Sequence, residues 1–239
     1  MPRNLNLLSF PKRNIIASMA TVPWRKESLE KVVNSLLPQI DMLNIYLNGW
    51  EKIPSFLEHK KINAVLSQNE IGDIGAKGKF YWCEKVIGIH ITVDDDILYP
   101  VDYVEKILDG IDRNKKSVVT FHGSILTSPH FSEKQTVSHF ARDSASDIPV
   151  TIGGTGVMAY STTDVKIDFE SFKCDFWADG WFAIQTKAQK IPIISLKHDA
   201  DWLKPLDISG PTIWKLNKQT ERSNIIDQWI VEFNLWDED

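Results

Sequence analysis

The chain has 239 residues, 43% of them hydrophobic and 25% charged, enough to build a soluble α/β core without disulfide or metal staples. Its net charge of −5 argues against a general nucleic-acid binder, and its two cysteines, Cys83 and Cys174, have no zinc or disulfide-framework spacing. No apolar run is long enough to span a bilayer, and the opening Met1-Pro2-Arg3-Asn4-Leu5-Asn6 lacks the features of a secretory signal, so a cytoplasmic protein is expected.

The first expected strand is residues 15–19, leading into Thr21-Val22-Pro23-Trp24-Arg25. A helix follows, with Leu29, Val32, Val33 and Leu36 on one face and Pro38 closing it. Leu43, Ile45 and Leu47 alternate with polar or aromatic neighbours as a second strand, punctuated by Asn48-Gly49. Ala64-Val65-Leu66 makes a short third strand. The loop Gly72-Asp73-Ile74-Gly75-Ala76-Lys77-Gly78-Lys79 combines glycines and lysines, as a backbone that approaches an anion requires, but its spacing is not that of a P-loop. Phe80-Tyr81-Trp82 reads as the start of a helix.

Ile89-His90-Ile91-Thr92-Val93 is a buried fourth strand that runs straight into Asp94-Asp95-Asp96. Crowded carboxylates repel, and burying one unpaired is costly. A strand that ends in three of them points to a hard divalent cation, Mg²⁺ or Mn²⁺, with phosphate oxygens as its other ligands. The competing reading is a solvated acidic turn.

Beyond the aspartates, Pro100 opens a helix with Val104, Ile107, Leu108 and Ile111 on one face, and residues 118–121 form a strand ending at His122-Gly123. Residues 128–149 are polar and turn-rich and read as a mobile insertion, a lid. Gly153-Gly154-Thr155-Gly156 precedes a strand at 157–160, Asp179 precedes a helix starting near Trp181, and residues 191–196 form a last strand ending at His198. Nine tryptophans is a high number, and most are assigned to the core. Strands alternating with helices argue for a single α/β domain, a mostly parallel sheet with helices on both faces and ligands at the C-terminal strand edge.

In this order, Thr-x-Pro-x-Arg after the first strand, Asn-Gly after the second, a Gly/Lys loop and an Asp-x-Asp strand end resemble a GT-A-fold glycosyltransferase. The stretch from Asp94 through Tyr99-Pro100 and Asp102-Tyr103-Val104 resembles the N-acetylglucosaminyltransferases of bacterial heparosan-type capsule synthesis, and the likeness runs from about Ile15 to Leu206. Against that family the Gly72 to Lys79 loop is longer, and His198 stands where a basic residue is usual.

The resemblance implies transfer of an N-acetylhexosamine or hexose from a UDP-sugar to a hydroxyl of a growing cell-surface glycan, with Mn²⁺ or Mg²⁺ as cofactor. It divides the chain into a nucleotide-binding half (about 14–121), a half for donor sugar and acceptor (about 122–206) and a C-terminal helical extension (207–239). Asp96 is the implied metal ligand, Asp94 reaches the ribose or the metal, and Asp95 supplies either contact. Thr21, Pro23 and Arg25 line the base pocket, with Arg25 also able to pair a phosphate. Asn48 hydrogen-bonds the base, Asp73 the uracil or ribose, and Lys79 the diphosphate. Gly154 and Thr155 approach the donor sugar, and His198 is a third metal ligand. Asp179 is the base in an inverting enzyme, a positioning group in a retaining one, or simply a helix cap. Trp181 or Trp202 stacks on the acceptor unless both belong to the core. The acceptor is glycan, lipid-linked at the inner membrane face, with peripheral contacts to membrane or to other synthesis enzymes and no nucleic-acid partner. The segment 225–233 is expected to dock on the domain itself. The rival functions are a sugar nucleotidyltransferase, which needs a Gly-rich basic signature at the first strand that Thr21 to Arg25 does not supply, and a non-catalytic glycan-binding subunit.

Overall fold

A computed structural model describes residues 13–207 and 220–236. The expectations for residues 1–6 and for Trp214 lie outside these. The first half opens as expected with β1 (Ile15–Thr21), α1 (Lys26–Leu36) and β2 (Met42–Leu47). β3 (Ile62–Leu66), β4 (Ile89–Val93) and the two-residue β5 (Ile97–Leu98) then follow with only short 3₁₀ segments and turns between them, before α2 (Tyr103–Arg113) and β6 (Val118–Thr120). The second half is denser in short strands: β7 (Gly123–Ile125), β8 (Gln135–Ser138), β9 (Ile148–Val150), β10 (Ile152–Gly153), β11 (Val157–Ser161), then α3 (Ala178–Ala188), β12 (Ile193–Ser195), β13 (Lys204–Pro205) and α4 (Thr220–Glu232).

The main sheet has eight strands in the order β3-β2-β1-β4-β11-β6-β12-β9. Strands β3, β2, β1 and β4 are mutually parallel, as are β6 and β12. β11 lies antiparallel between β4 and β6, with Val157 opposite Val93. This reversal matters for the site. It brings the residues before β11, not those after it, to the edge where β4 delivers its aspartates.

The period-two pattern of each strand sorts its side chains between two cores. Ala17, Met19, Leu43, Ile45, Leu47, Ile91, Val93 and Ala159 face α1 and α2, whose Leu29, Val32, Leu36 and Ile107 are fully buried. The opposite face carries Tyr46, Met158 and Tyr160 against Phe182 of α3, in the same core as Ile226 and Ile230 of α4. Helices therefore cover both faces.

That second face also holds a polar chain inside the core. His90 sits between the Tyr160 hydroxyl at 2.7 Å and the Ser18 hydroxyl at 2.9 Å. Asn44 donates to Ser18, and Asn63 donates to Asn44. Buried groups on four neighbouring strands thus satisfy one another, the condition under which a polar core group is tolerated, and the exposed Asn63 extends the chain to β3.

Two expectations change. Phe80 ends a 3₁₀ segment, Gly75–Phe80, and turns follow instead of a helix. Residues 128–149 are not an irregular lid. They supply β8, which pairs with β7 in a three-stranded sheet, and most of β9, which pairs with β12. Ser144 bridges to His198, tying the connection down. Short strands with polar outward residues carry little apolar signal, so this stretch reads as loop from sequence.

α4 docks on the domain as expected. Ile226 and Ile230 are fully buried, and Trp229 packs on Trp177 at 5.8 Å and Trp181 at 5.0 Å between ring centres. Its Asp227 accepts the Phe131 backbone N–H at 2.7 Å.

Candidate active site

A cavity of about 950 Å³ opens along the sheet edge formed by the C-terminal ends of β1, β2, β4 and β6 and the N-terminal end of β11. The ends of β1 and β4 build one wall. Thr21 closes β1, and its hydroxyl donates to Asp95 at 2.6 Å. Arg25 lies in the 3₁₀ turn 23–25, where Pro23 presets the first position. Its guanidinium bonds Asp96 at 2.8 Å and stands 3.6 Å from Asp95. Lys79, carried by the segment Gly75–Phe80, pairs with Asp94 and reaches the Thr155 hydroxyl at 3.5 Å. Each of the three carboxylates thus meets a protein cation.

Two cations do not fully offset three acids. Burial pushes the Asp95 carboxyl up to about 7, with Asp96 and Asp94 adding to the rise while Thr21 and Arg25 oppose it. Asp96 is also raised, first by burial and then by Asp94, although Arg25 works against both. Burial works to lower the Lys79 pKa, but Asp94, with Asp179 and Asp95 behind it, more than offsets this, so its ammonium is held above the usual range. Burial and mutual repulsion therefore make the rim carboxylates harder to ionise than free ones.

Asp179 stands at the N-terminal end of α3. Its Oδ1 accepts the Thr155 backbone N–H at 2.9 Å and the Thr155 hydroxyl at 2.5 Å. It therefore pins the turn before β11 rather than capping its own helix, for which no side-chain cap bond forms. The glycines of that turn make room for side chains of the site itself. A Cβ on Gly154 would stand 2.9 Å from the Cβ of His122, and one on Gly156 would run into the Asp94 carboxylate.

Of the residues expected from sequence, Thr21, Arg25, Asn48, Lys79, Asp94, Asp95, Asp96, Thr155 and Asp179 line this one cavity. Asn48 has both side-chain groups engaged with the loop backbone, donating to Gly75 O at 3.0 Å and accepting from Ile74 N at 3.1 Å. Asp73 accepts from Gly75 N at 3.0 Å within its own exposed loop, and Pro23 is exposed at the start of its turn. Neither these two nor Gly154 is among the cavity-lining residues.

His198 is placed elsewhere. Its Nδ1 lies 2.9 Å from Leu196 O and its Nε2 3.2 Å from His139 O, and it borders a separate cavity of about 370 Å³. Both ring nitrogens are turned to carbonyls, so it fastens the 139–144 segment. Among the described residues, no group of three or more His, Cys, Asp and Glu side chains stands ready around a metal position. The donor chemistry nonetheless suits Mg²⁺ or Mn²⁺, which need only one or two carboxylates when phosphate and water complete the shell. Asp94 and Asp96 are the candidates. Trp181 is buried, and Trp202 is committed to Asp102 at 2.8 Å and to Lys106 above its ring.

Sequence reasoning missed several lining residues: Trp24, half exposed at the mouth; His122; Phe131, Lys134, His139 and Arg142 of the 128–149 stretch; and Trp177. His122, directly after an expected strand, and Trp24, inside the Thr21 to Arg25 segment that follows another, carried a positional signal.

No protein-family model matches the sequence, and no curated protein matches it. Solved structures do share its architecture, which is the GT-A fold. The chain is similar to S. aureus TarS 1-349 in complex with UDP, at a TM-score of 0.53 and 13% identity over 92% of this chain and 70% of that one. It is also similar to S. aureus TarS 1-349 in complex with UDP-GlcNAc, at a TM-score of 0.62 and 12% identity over 92% of this chain and 66% of that one.

Proposed function

We propose that the chain is a metal-dependent glycosyltransferase that moves a sugar, an N-acetylhexosamine or hexose, from a UDP-sugar to a hydroxyl of a growing cell-surface polysaccharide. One observation carries the reading: three acidic groups, two buried cations and Asp179 converge on one cavity at a sheet edge. The UDP and UDP-GlcNAc complexes of the TarS structures support the donor class.

The ion pairs suggest how donor binding proceeds. A diphosphate offers Lys79 and Arg25 a new anion, and a divalent cation offers Asp94 and Asp96 a new partner. Lys79 and Arg25 would then turn to the diphosphate while Asp94 and Asp96 would hold the cation, so that no charge would be left stranded. When bound, the cation supplies Lewis-acid stabilisation of the departing diphosphate. Thr21 and Trp24 border the nucleotide end. Asp179, with Oδ1 held by Thr155, takes the acceptor hydroxyl proton through its second oxygen. The acceptor oxygen forms the new bond to the sugar carbon, and UDP leaves with the electron pair of the broken bond.

No helix among the described residues is long and apolar enough to cross a membrane. A lipid-linked acceptor presented at the inner membrane face, to a cytoplasmic enzyme associated peripherally, belongs to the same reading.

UDP release, measured across a panel of UDP-sugars with Mn²⁺ or Mg²⁺ and a glycan acceptor, tests it. One donor is expected to stand out and chelation to stop release reversibly. Pyrophosphate release from a nucleoside triphosphate would instead reveal a nucleotidyltransferase. Absence of UDP binding with Mn²⁺ in calorimetry would leave only a glycan-binding role.

A further inference from the structure

We propose that His122 is a specificity-determining residue that donates a hydrogen bond from Nε2–H to a hydroxyl of the donor's sugar. This rests on the donor reading above and deepens it. The ring is firmly seated. It lies against Gly154, where any side chain would collide with it, and the Gly154 N–H donates to the His122 carbonyl at 2.7 Å. The His139 ring packs across it at 5.0 Å. Nδ1 is buried without a hydrogen-bond partner, and no hydrogen bond within the described residues engages Nε2. With Nδ1 turned inward and Cδ2 against Gly154, the edge that carries Nε2 is the one left to the cavity.

The proton position follows from this burial. A proton on Nδ1 would be a buried donor with no acceptor, whereas one on Nε2 faces the cavity. The tautomer with hydrogen on Nε2 is therefore favoured. Burial, with His139 and Lys134 nearby, pushes the His122 pKa down to about 4. At neutral pH the ring is an uncharged donor, suited to a hydroxyl rather than to an anion.

The sheet order locates the partner. His122 follows β6 and Thr21 ends β1, with β4 and β11 between them. Three strand spacings of about 4.8 Å separate the two by about 14 Å along the rim. A base at the β1 end and a diphosphate near Lys79 direct the sugar toward β6, where His122 stands.

Calorimetry on the full chain, with Mn²⁺ present, compares UDP with UDP-GlcNAc. His122→Phe keeps a ring beside Gly154 and removes both nitrogens, His122→Ala removes the ring, and His122→Gln restores an N–H near the reach of Nε2. H122F and H122A are expected to bind UDP as wild type does and UDP-GlcNAc about three- to tenfold more weakly. H122Q is expected to recover most of the difference. A variant that melts like wild type but binds UDP-GlcNAc normally, or that weakens both ligands equally, overturns the assignment. So does an H122Q that stays as weak as H122F. Wild-type protein that binds no UDP would instead overturn the donor reading itself, and this inference with it.

Discussion

On the β1–β4 side of the cavity the polar side chains hold one another: Thr21 with Asp95, Arg25 with Asp96, Lys79 with Asp94. On the β6 side, His122 has no hydrogen bond to either ring nitrogen within the described residues, and His139 and Arg142 border the cavity on a segment fastened from behind by His198. A ligand on the first side must displace partners. A ligand on the second adds contacts without breaking any at His122. The contrast suits a donor with a charged end and an uncharged end.

The sharpest way to break this comparison is to remove the acids. Under the proposed function, Asp96→Ala is expected to lower UDP release by about a thousandfold, because the cation would lose a ligand and Arg25 its partner. Turnover near wild type would refute its metal role. Asp179→Asn keeps an oxygen for the Thr155 N–H but cannot take a proton, so kcat should fall about 10²- to 10³-fold with little change in UDP affinity. A comparable loss of UDP binding would make Asp179 structural.

The second side also depends on the C-terminal helix. Ile230→Ala, at a fully buried position, should cost about 2–4 kcal/mol in urea unfolding. A loss below about 1 kcal/mol would mean that α4 is not part of the cooperative unit.

The smallest effect concerns pH. Burial between Ser18 and Tyr160 lowers the His90 pKa to about 3, from a model-compound value of 6.5. The unfolded chain then binds a proton that the folded chain refuses, so this contribution is fully present above pH 6.5 and is lost as pH falls toward 3. His122, lowered to about 4, adds in the same direction. Each group contributes a slope of at most about 1.4 kcal/mol per pH unit. Asp95, raised to about 7, opposes this over the same window, because there the folded chain holds a proton that the unfolded chain releases. The urea midpoint of His90→Gln should therefore fall less, or rise more, than that of wild type as pH drops from about 6.5 to about 5. An unchanged slope would show that His90 takes up its proton in the folded state.

Much of the first half was legible because its strands are apolar, well spaced and joined by amphipathic helices. The aspartates at the end of β4 and Arg25 after β1 stood out because charge directly after an apolar strand has few structural uses. Asn48 was harder to place, since an Asn-Gly turn looks the same whether its amide holds a base or, as here, the Gly75 loop. His139 and Arg142 lay in a stretch without periodicity. His198 looked like a ligand because it follows a strand, but strand position does not say which way a ring turns.

By itself the sequence determined the layered α/β plan and the acidic strand end, since both follow from local periodicity and from the cost of burying charge. Only the tertiary structure decided which groups share the cavity. The antiparallel insertion of β11 set Thr155 beside Asp94, with Asp179 of α3 bonded to it, while His198 after β12 borders another cavity. Strand order across a sheet is a matter of contacts far apart along the chain, and no local window of residues carries it.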